Sequence, residues 1–366
     1  MDSKSNKSRR IIDCDIHHQI RSTDDLLPYL SSHYRSQVET WGLQLPALPT
    51  LNGGVGGRRV DSFPPSGNPP ASEVPFTVEQ LFEPFNVEYG ILTGEFQPVT
   101  TTPDANYAAA LCAAYNDYTI EHWLEKDSRM KGSIMLPIQN PLLAAKEIER
   151  VGSHKDMVQA IAPSGARALY GQRVYDPIYE ACERYGLPFT IHIGMEGFGI
   201  NPSPTGAGHP SYYIEYRSVR PQLLMAHLAS FIFEGVFERF PSLKVVMLEA
   251  GVFWVVPYLW RLDQDWKALR YQTPWVTKKP SEYFMEHVFI GSQPIETGPS
   301  PAAFKSMLEW MNGKDKILFC SDYPHWDFDS PAMAFPKLDE ETMNNIHYNN
   351  AAKLYGLKPA AREAAI

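Results

Sequence analysis

Long apolar runs are missing from this sequence, and so is any excess of positive charge. Behind the basic first ten residues, the apolar pair Ile11 and Ile12 is interrupted at once by Asp13, so nothing there approaches the ~20 residues of a membrane-spanning helix. The formal net charge is −9 at pH 7, whereas binding to a phosphate backbone requires clustered Lys and Arg. The sequence therefore predicts no signal peptide, no membrane span and no nucleic-acid partner.

Cysteine is scarce as well, and nucleotide-binding motifs are absent. The 4 cysteines are scattered without a CxxC pair, which argues against a disulfide framework and favours buried thiols in a protein of the reducing cytoplasm. No GxGxxG or P-loop motif occurs, and the glycines within 53–57 lack both a preceding strand and the lysine that phosphate binding needs. We therefore expect no nucleotide or flavin cofactor.

What the sequence does contain is an alternation of short apolar runs with longer helical patterns. One helix is predicted over the alanine-rich 105–126, and another begins at Asn140-Pro141, a capping residue followed by proline at the first helical position. Short strands separated by helices are typical of parallel α/β proteins, and eight such units favour a closed (β/α)8 TIM barrel. The predicted strands are Ile11–Ile16, Val87–Thr93, Ser133–Ile138, Met157–Ala162, Pro188–Ile193, Lys244–Glu249, His287–Ile290 and Lys316–Ser321.

One long connection interrupts this alternation. We predict a single barrel over 11–358, with a basic N-terminal tail over 1–10 and a C-terminal tail over 359–366, and Gln44–Pro75 is an inserted arm rich in Gly and Pro. Connections of this length are usually lids, partner contacts or disordered segments. Because Trp41 and Phe63 would otherwise be exposed, we expect the arm to be ordered against another subunit or over the barrel mouth.

Residues with metal-binding side chains stand at the ends of four predicted strands, where TIM barrels carry their active sites. Asp15 and His17 share one face of the first strand and could chelate a metal ion, although a polar turn capping the next helix is the alternative. His192 ends the fifth strand. Glu249 ends the sixth, where an unpaired carboxylate would be costly to bury. Asp322 follows the eighth strand, which barrel closure makes a neighbour of the first.

Five stretches carry a family resemblance: 12–17 (IDCDIH), 189–192 (FTIH), 235–246 (GVFERFPSLKVV), 321–325 (SDYPH) and 350–356 (NAAKLYG). With them the chain resembles the amidohydrolase-related family that includes aminocarboxymuconate semialdehyde decarboxylase and γ-resorcylate decarboxylase. The resemblance extends over nearly the whole chain from residue 11 onward. It implies a barrel of the metal-dependent hydrolase type.

The resemblance also implies roles for individual residues. Asp15, His17, His192 and Asp322 would bind a divalent metal ion, and Asp322 would also move protons. The implied reaction is hydrolysis or decarboxylation of a small organic substrate that carries a carboxylate. Glu249 departs from the pattern, because the family's decarboxylases have a histidine at this strand end.

A second metal ion is the alternative that Glu249 suggests. His227 lies among apolar residues on the helix before the sixth strand, and it is either a core histidine bonded to a backbone carbonyl or a ligand of that second ion. With His227 and Glu249 added, the oxygen-rich ligand set suits Fe or Mn as readily as Zn. On this reading both residues join Asp322 as catalytic residues. The enlarged set is Asp15, His17, His192, His227, Glu249 and Asp322.

Three further residues are candidates for contact with substrate. His325 and Trp326 follow the eighth strand and are expected at the barrel mouth. Arg217 could pair with a substrate carboxylate, although a surface ion pair is the alternative.

Three functions therefore remain open from the sequence. The first is a hydrolase or decarboxylase with one or two Zn, Fe or Mn ions. The second is a dinuclear Fe or Fe/Mn monooxygenase on the same fold, served by an electron-transfer partner. The third is an inactive partner subunit of such an enzyme. In each case we expect a homo-oligomer or a hetero-oligomer with a related barrel subunit.

Overall fold

A parallel sheet of eight strands, each paired with the next along the chain, forms the centre of the protein. The computed structural model describes residues 9–46 and 57–359. The sheet closes on itself because Cys14 N donates to Phe319 O at 2.9 Å and His17 N donates to Tyr323 O at 2.8 Å. The predicted (β/α)8 TIM barrel is thereby confirmed. Its strands are β1 (Ile11–Ile16), β2 (Val87–Leu92), β3 (Met130–Met135), β4 (Met157–Pro163), β5 (Phe189–His192), β6 (Val245–Leu248), β7 (Val288–Gly291) and β8 (Ile317–Leu318).

Helices follow the strands and cover the sheet. The cap predicted at Asn140 is present, since its side chain accepts a hydrogen bond from Leu143 N. The helical region over 213–239 is divided at Gly235, which adopts the left-handed conformation with φ 71°. The α-helices are α1 (Ser32–Trp41), α2 (Val74–Thr77), α3 (Glu83–Phe85), α4 (Ala105–Thr119), α5 (Pro141–Val151), α6 (Asp176–Tyr185), α7 (Tyr213–Phe233), α8 (Val236–Arg239), α9 (Val255–Leu269), α10 (Pro280–His287), α11 (Pro301–Trp310), α12 (Gly313–Lys316), α13 (Glu340–Asn344) and α14 (Asn350–Tyr355).

Two apolar clusters stabilise the barrel. The larger one lies between the sheet and the helices. The smaller one joins side chains of β1, β2, β4, β6 and β8, including Ile12, Cys14 and Leu248, and therefore lies inside the barrel. All four cysteines are free and buried, as the sequence predicts.

The described part of the inserted arm lies at the mouth of the barrel. Arg58 forms an antiparallel bridge with His325, and Arg59 N donates to Pro324 O at 3.0 Å. The glycine-rich 53–56, like most of the two predicted tails, lies outside the described residues. No helix in the described ranges is long and apolar enough to cross a membrane.

Candidate metal centre

The C-terminal ends of β1, β5, β6 and β8 bring the predicted metal ligands together. His17 Nε2 lies 3.2 Å from Asp15 Oδ1 and 2.9 Å from Asp322 Oδ1. His192 Nε2 lies 3.3 Å from Asp15 Oδ2 and 3.3 Å from Glu249 Oε2. All five side chains are buried. The structure thus assembles five of the six residues of the enlarged set, and His227 is the exception.

The unsatisfied atoms of this cluster fit a divalent cation. Asp15 Oδ2, His17 Nε2, His192 Nε2 and Asp322 Oδ2 are all buried without a hydrogen-bond partner. Buried polar atoms without partners are energetically costly, and two imidazole nitrogens facing carboxylate oxygens are a donor set that a divalent metal would satisfy. A divalent metal cofactor is therefore consistent with the site.

The other nitrogen of each histidine fixes which tautomer is present. His192 Nδ1 lies 2.7 Å from Ile193 O, and His17 Nδ1 lies 3.2 Å from Gly94 O. A carbonyl oxygen only accepts, so each Nδ1 must carry the proton in the neutral imidazole. Each Nε2 is then left with a lone pair directed at the cluster, which is the arrangement that metal-binding histidines adopt.

Two strand-end carboxylates stand on strained backbone. Glu249 and Asp322 both have φ 62°, in the left-handed region that residues other than glycine rarely adopt. The cost is about 1–2 kcal/mol at each position. Such strain concentrates at functional sites, where the surrounding structure holds it in place.

The charges of the cluster make metal binding depend on pH. Burial opposes a charged imidazole, but the Asp15 carboxylate beside it outweighs burial and raises the pKa of both His17 and His192 above 6.5. The raised pKa values favour a second proton on each ring in the metal-free protein, and a metal ion must displace such a proton to bind.

We accordingly expect metal binding to release about one to two protons per ion at pH 7. Because protons and metal compete for the same nitrogens, apparent affinity should rise as the pH increases above 6.5, the ordinary imidazole pKa. Titration of the metal-free protein with Mn²⁺ in weakly buffered indicator solution measures the release. An affinity that is the same at pH 6 and pH 8 would contradict the protonated state of the metal-free site.

Glu249 has a second partner that the sequence analysis did not identify. Its Oε1 accepts a hydrogen bond from Nη1 of Arg220, a buried residue of α7. The Arg220 guanidinium also lies over the Tyr216 ring, 5.2 Å from the centroid. Arg217, which the sequence analysis did select, lies three residues earlier on the same helix. That spacing puts the two arginines on one helix face, and it was the available signal.

His227 lies outside the cluster, which corrects its prediction as a metal ligand and catalytic residue. Its Nδ1 accepts from Tyr170 N at 3.2 Å, and its Nε2 lies 2.8 Å from Ser164 O. Both ring nitrogens are therefore occupied by backbone groups. The ring is buried and stacks on Tyr170 with centroids 4.4 Å apart. His227 is the core histidine of the alternative interpretation.

Replacement of His227 by alanine should consequently change stability rather than metal content. The variant leaves the buried Tyr170 N–H without an acceptor, which costs about 1–3 kcal/mol. Urea denaturation should show the lower midpoint, whereas elemental analysis should give the metal-to-protein ratio of the wild type. A lower ratio would restore His227 to the ligand set.

The candidate substrate residues surround the mouth. His325 Nδ1 bonds to Asp322 Oδ1, and although burial lowers the pKa of this histidine, the Asp322 carboxylate outweighs it and raises the pKa to about 9. Arg217 pairs with Asp327 and lies 5.1 Å from the centroid of the Trp326 ring. The Trp326 side chain is half exposed.

Comparison with known proteins agrees with this geometry. The Amidohydrolase family model matches residues 12–357. A γ-resorcylate decarboxylase from Polaromonas sp. is 26% identical over 294 residues, covering 76% of this chain and 86% of its own. Among solved structures, a dihydroxybenzoic acid decarboxylase from Polaromonas sp., with bound manganese and the inhibitor 2-nitroresorcinol, is 18% identical at a TM-score of 0.66, with 95% and 97% of the two chains covered. A 5-carboxyvanillate decarboxylase from Sphingomonas paucimobilis is 21% identical at a TM-score of 0.64, covering 96% of this chain and 100% of its own.

The fold and the match over nearly the whole chain define an enzyme of the amidohydrolase superfamily. The chain belongs to the Amidohydrolase family, in which its similar relatives are decarboxylases. The predicted family and the first of the three functions are confirmed. Neither the family match nor these relatives support the monooxygenase alternative.

Proposed function

We propose that this enzyme catalyses the metal-dependent, non-oxidative decarboxylation of a small aromatic acid with a hydroxyl group next to its carboxylate. The relatives named for dihydroxybenzoate and γ-resorcylate support this substrate class. The observation that carries the proposal is that Asp322 contacts both His17, a predicted metal ligand, and His325, a potential proton donor. Decarboxylation requires a proton donor of this kind, because a proton must replace CO₂ on the ring carbon.

In this proposal Asp15, His17, His192 and Asp322 would hold a divalent ion, and Glu249 lies beside His192. When bound, a divalent ion supplies Lewis-acid polarisation of the substrate oxygens. His325 and Asp322 supply the proton that the reaction needs.

His325 Nδ1 is hydrogen-bonded to Asp322 Oδ1, and the raised pKa of His325 keeps a proton on this ring at neutral pH, from which Asp322 can receive it. Asp322 passes that proton to the ring carbon that carries the carboxylate. The carbon–carboxylate bond then breaks, its electron pair returns to the ring, and CO₂ leaves. A proton has replaced CO₂, so the step needs neither an oxidant nor a reductant.

The mouth of the barrel is suited to an anionic substrate. Arg58, Arg217 and Arg220 reach it from the arm and from α7, each beside one carboxylate of the protein. We propose that Arg217 and Trp326 line the approach and that His325 faces the bound ring. The half-exposed Trp326 would provide an aromatic surface for stacking.

The test is an assay of the Mn²⁺-loaded enzyme with 2,6-dihydroxybenzoate, salicylate and 5-carboxyvanillate, with CO₂ release as the readout. Benzoate, which lacks the neighbouring hydroxyl, is the matched control. We expect turnover of at least one hydroxylated acid, none of benzoate, and a loss of about 10²–10⁴-fold in Asp322→Asn, the range typical of general acid catalysis. Hydrolysis of an ester, lactone or amide panel without release of CO₂ would reject the proposal.

We also propose that the enzyme is cytoplasmic and assembles as an oligomer. Four free buried thiols are the form that a reducing compartment maintains. Large apolar side chains remain exposed on the chain, and an interface between subunits would cover them. Light scattering of the purified enzyme gives the subunit number, and a monomer would reject the second part. The exposed side chains are Trp41, Tyr212, Ile214 and Met333.

A further inference from the structure

Glu95, in the loop after β2, connects three parts of the site. Its Oε1 lies 3.1 Å from His17 Nδ1 and 2.9 Å from His325 Nε2. Its Oε2 lies 2.9 Å from Arg58 Nη2. One carboxylate therefore touches a predicted metal ligand, the partner of Asp322 and a cation supplied by the inserted arm.

The arm reaches Glu95 because its residues 57–62, the docked segment, pair with the loop that follows Asp322. Trp326 N donates to Gly57 O at 3.2 Å, and Arg59 N donates to Pro324 O at 3.0 Å. These backbone bonds place the docked segment antiparallel to residues 324–326, and Arg58 is paired with His325. The segment thus lies directly over the strand end that carries Asp322.

Carboxylates behind metal-binding histidines have a known physical effect. A carboxylate that accepts from the remote nitrogen orients the ring and makes the ligand nitrogen more basic, and its loss typically lowers metal affinity 10–100-fold. Glu95 Oε1 lies within ion-pair distance of His17 Nδ1, whose hydrogen bond goes to the neighbouring Gly94 O, so Glu95 acts on this ring by charge and contact. Arg58 in turn holds the Glu95 carboxylate, because the ion pair occupies the oxygen that points away from the imidazoles.

We propose that docking of the segment and metal affinity are coupled through Glu95. Arg58 of the docked segment holds the Glu95 carboxylate in place, and Glu95 in turn positions His17 and His325. Coupling of this kind is reciprocal. Metal binding must stabilise the docked segment to the same degree that docking strengthens metal binding. The inference does not depend on which reaction the site catalyses.

The first measurement is Mn²⁺ affinity, determined by chelator competition without substrate. Glu95→Gln and Arg58→Ala should each bind Mn²⁺ about 10–100-fold more weakly than the wild type. Arg58→Lys should recover part of the loss, since it restores a cation. Arg59→Ala is the matched control, because Arg59 lies in the same segment but pairs with Asp61, and its affinity should stay within about twofold, as expected for an exposed ion pair.

The second measurement is hydrogen–deuterium exchange of peptides that cover 57–62. Mn²⁺ should slow exchange there in the wild type and in Arg59→Ala, and it should have no effect in Glu95→Gln. Glu95→Gln keeps the size of the side chain, so it also serves if Arg58→Ala misfolds. Unchanged affinity in both Glu95→Gln and Arg58→Ala, or an equal loss in Arg59→Ala, would overturn the coupling. Because no substrate is present, either result is independent of the decarboxylase assay.

Discussion

His17→Ala is expected to lose most of its metal and, with it, most of its activity. His17 Nε2 lies between Asp15 and Asp322, at 3.2 and 2.9 Å, so the substitution removes the nitrogen that faces two of the other predicted ligands. Loss of a partner behind a ligand already lowers affinity about 10–100-fold, and loss of the ligand itself should exceed that range. Elemental analysis after gel filtration measures the retained metal.

The barrel should nevertheless remain folded in this variant. The side chain stands at the mouth, outside the two apolar clusters that stabilise the sheet. Circular dichroism should therefore match the wild type. His33→Ala, the same substitution at an exposed histidine, is the control and should keep full metal content. Wild-type stoichiometry in His17→Ala would exclude this residue from the metal site.

The second large effect is expected at the buried pair of Arg220 and Glu249. Arg220→Met removes the guanidinium that neutralises Glu249 and leaves a carboxylate buried beside His192. Breaking one side of a buried ion pair costs about 3–5 kcal/mol, because the remaining charge stays desolvated. The double variant Arg220→Met/Glu249→Leu removes both charges and should recover most of the loss.

Urea denaturation of the Mn²⁺-loaded proteins measures both effects. Arg21→Met is the control, since it breaks an exposed pair with Asp25 on the protein surface and should cost less than about 1 kcal/mol. If Glu249 were instead a metal ligand, the freed carboxylate of Arg220→Met would strengthen metal binding, and the double variant would weaken it. A double variant less stable than Arg220→Met would contradict the charge-pair interpretation.

The strands were largely predictable because apolar runs mark buried parallel strands. β1 agrees at both ends with its prediction, whereas β3 begins three residues earlier than predicted. Its first residues include Lys131 and Gly132, which do not look like strand residues. Lys131 is accommodated because its Nζ reaches Asp156 at 2.7 Å. β8 is shorter than predicted, since the chain turns toward the mouth after Leu318.

The site was predictable only where its residues end strands. Glu95 and Arg58 lie in irregular connections, and nothing in their sequence surroundings indicates that β2 and the arm meet there. His227 was assigned wrongly because an apolar helix face does not reveal whether its histidine turns to the mouth or to a backbone carbonyl. The left-handed backbone of Glu249 and Asp322 depends on tertiary contacts and has no local signature in the sequence.

The four buried cysteines can be used to measure local unfolding in the wild-type protein, because each thiol reacts only when it becomes exposed. Cys14 and Cys320 belong to the cluster inside the barrel, whereas Cys112 and Cys182 are buried residues of the outer helices α4 and α6. The rate at which a thiol reagent modifies each cysteine therefore measures how often local unfolding exposes that part of the barrel. Peptide mapping of the modified thiols would therefore reveal whether the helices leave the sheet before the sheet itself parts between β1 and β8, without any engineered label.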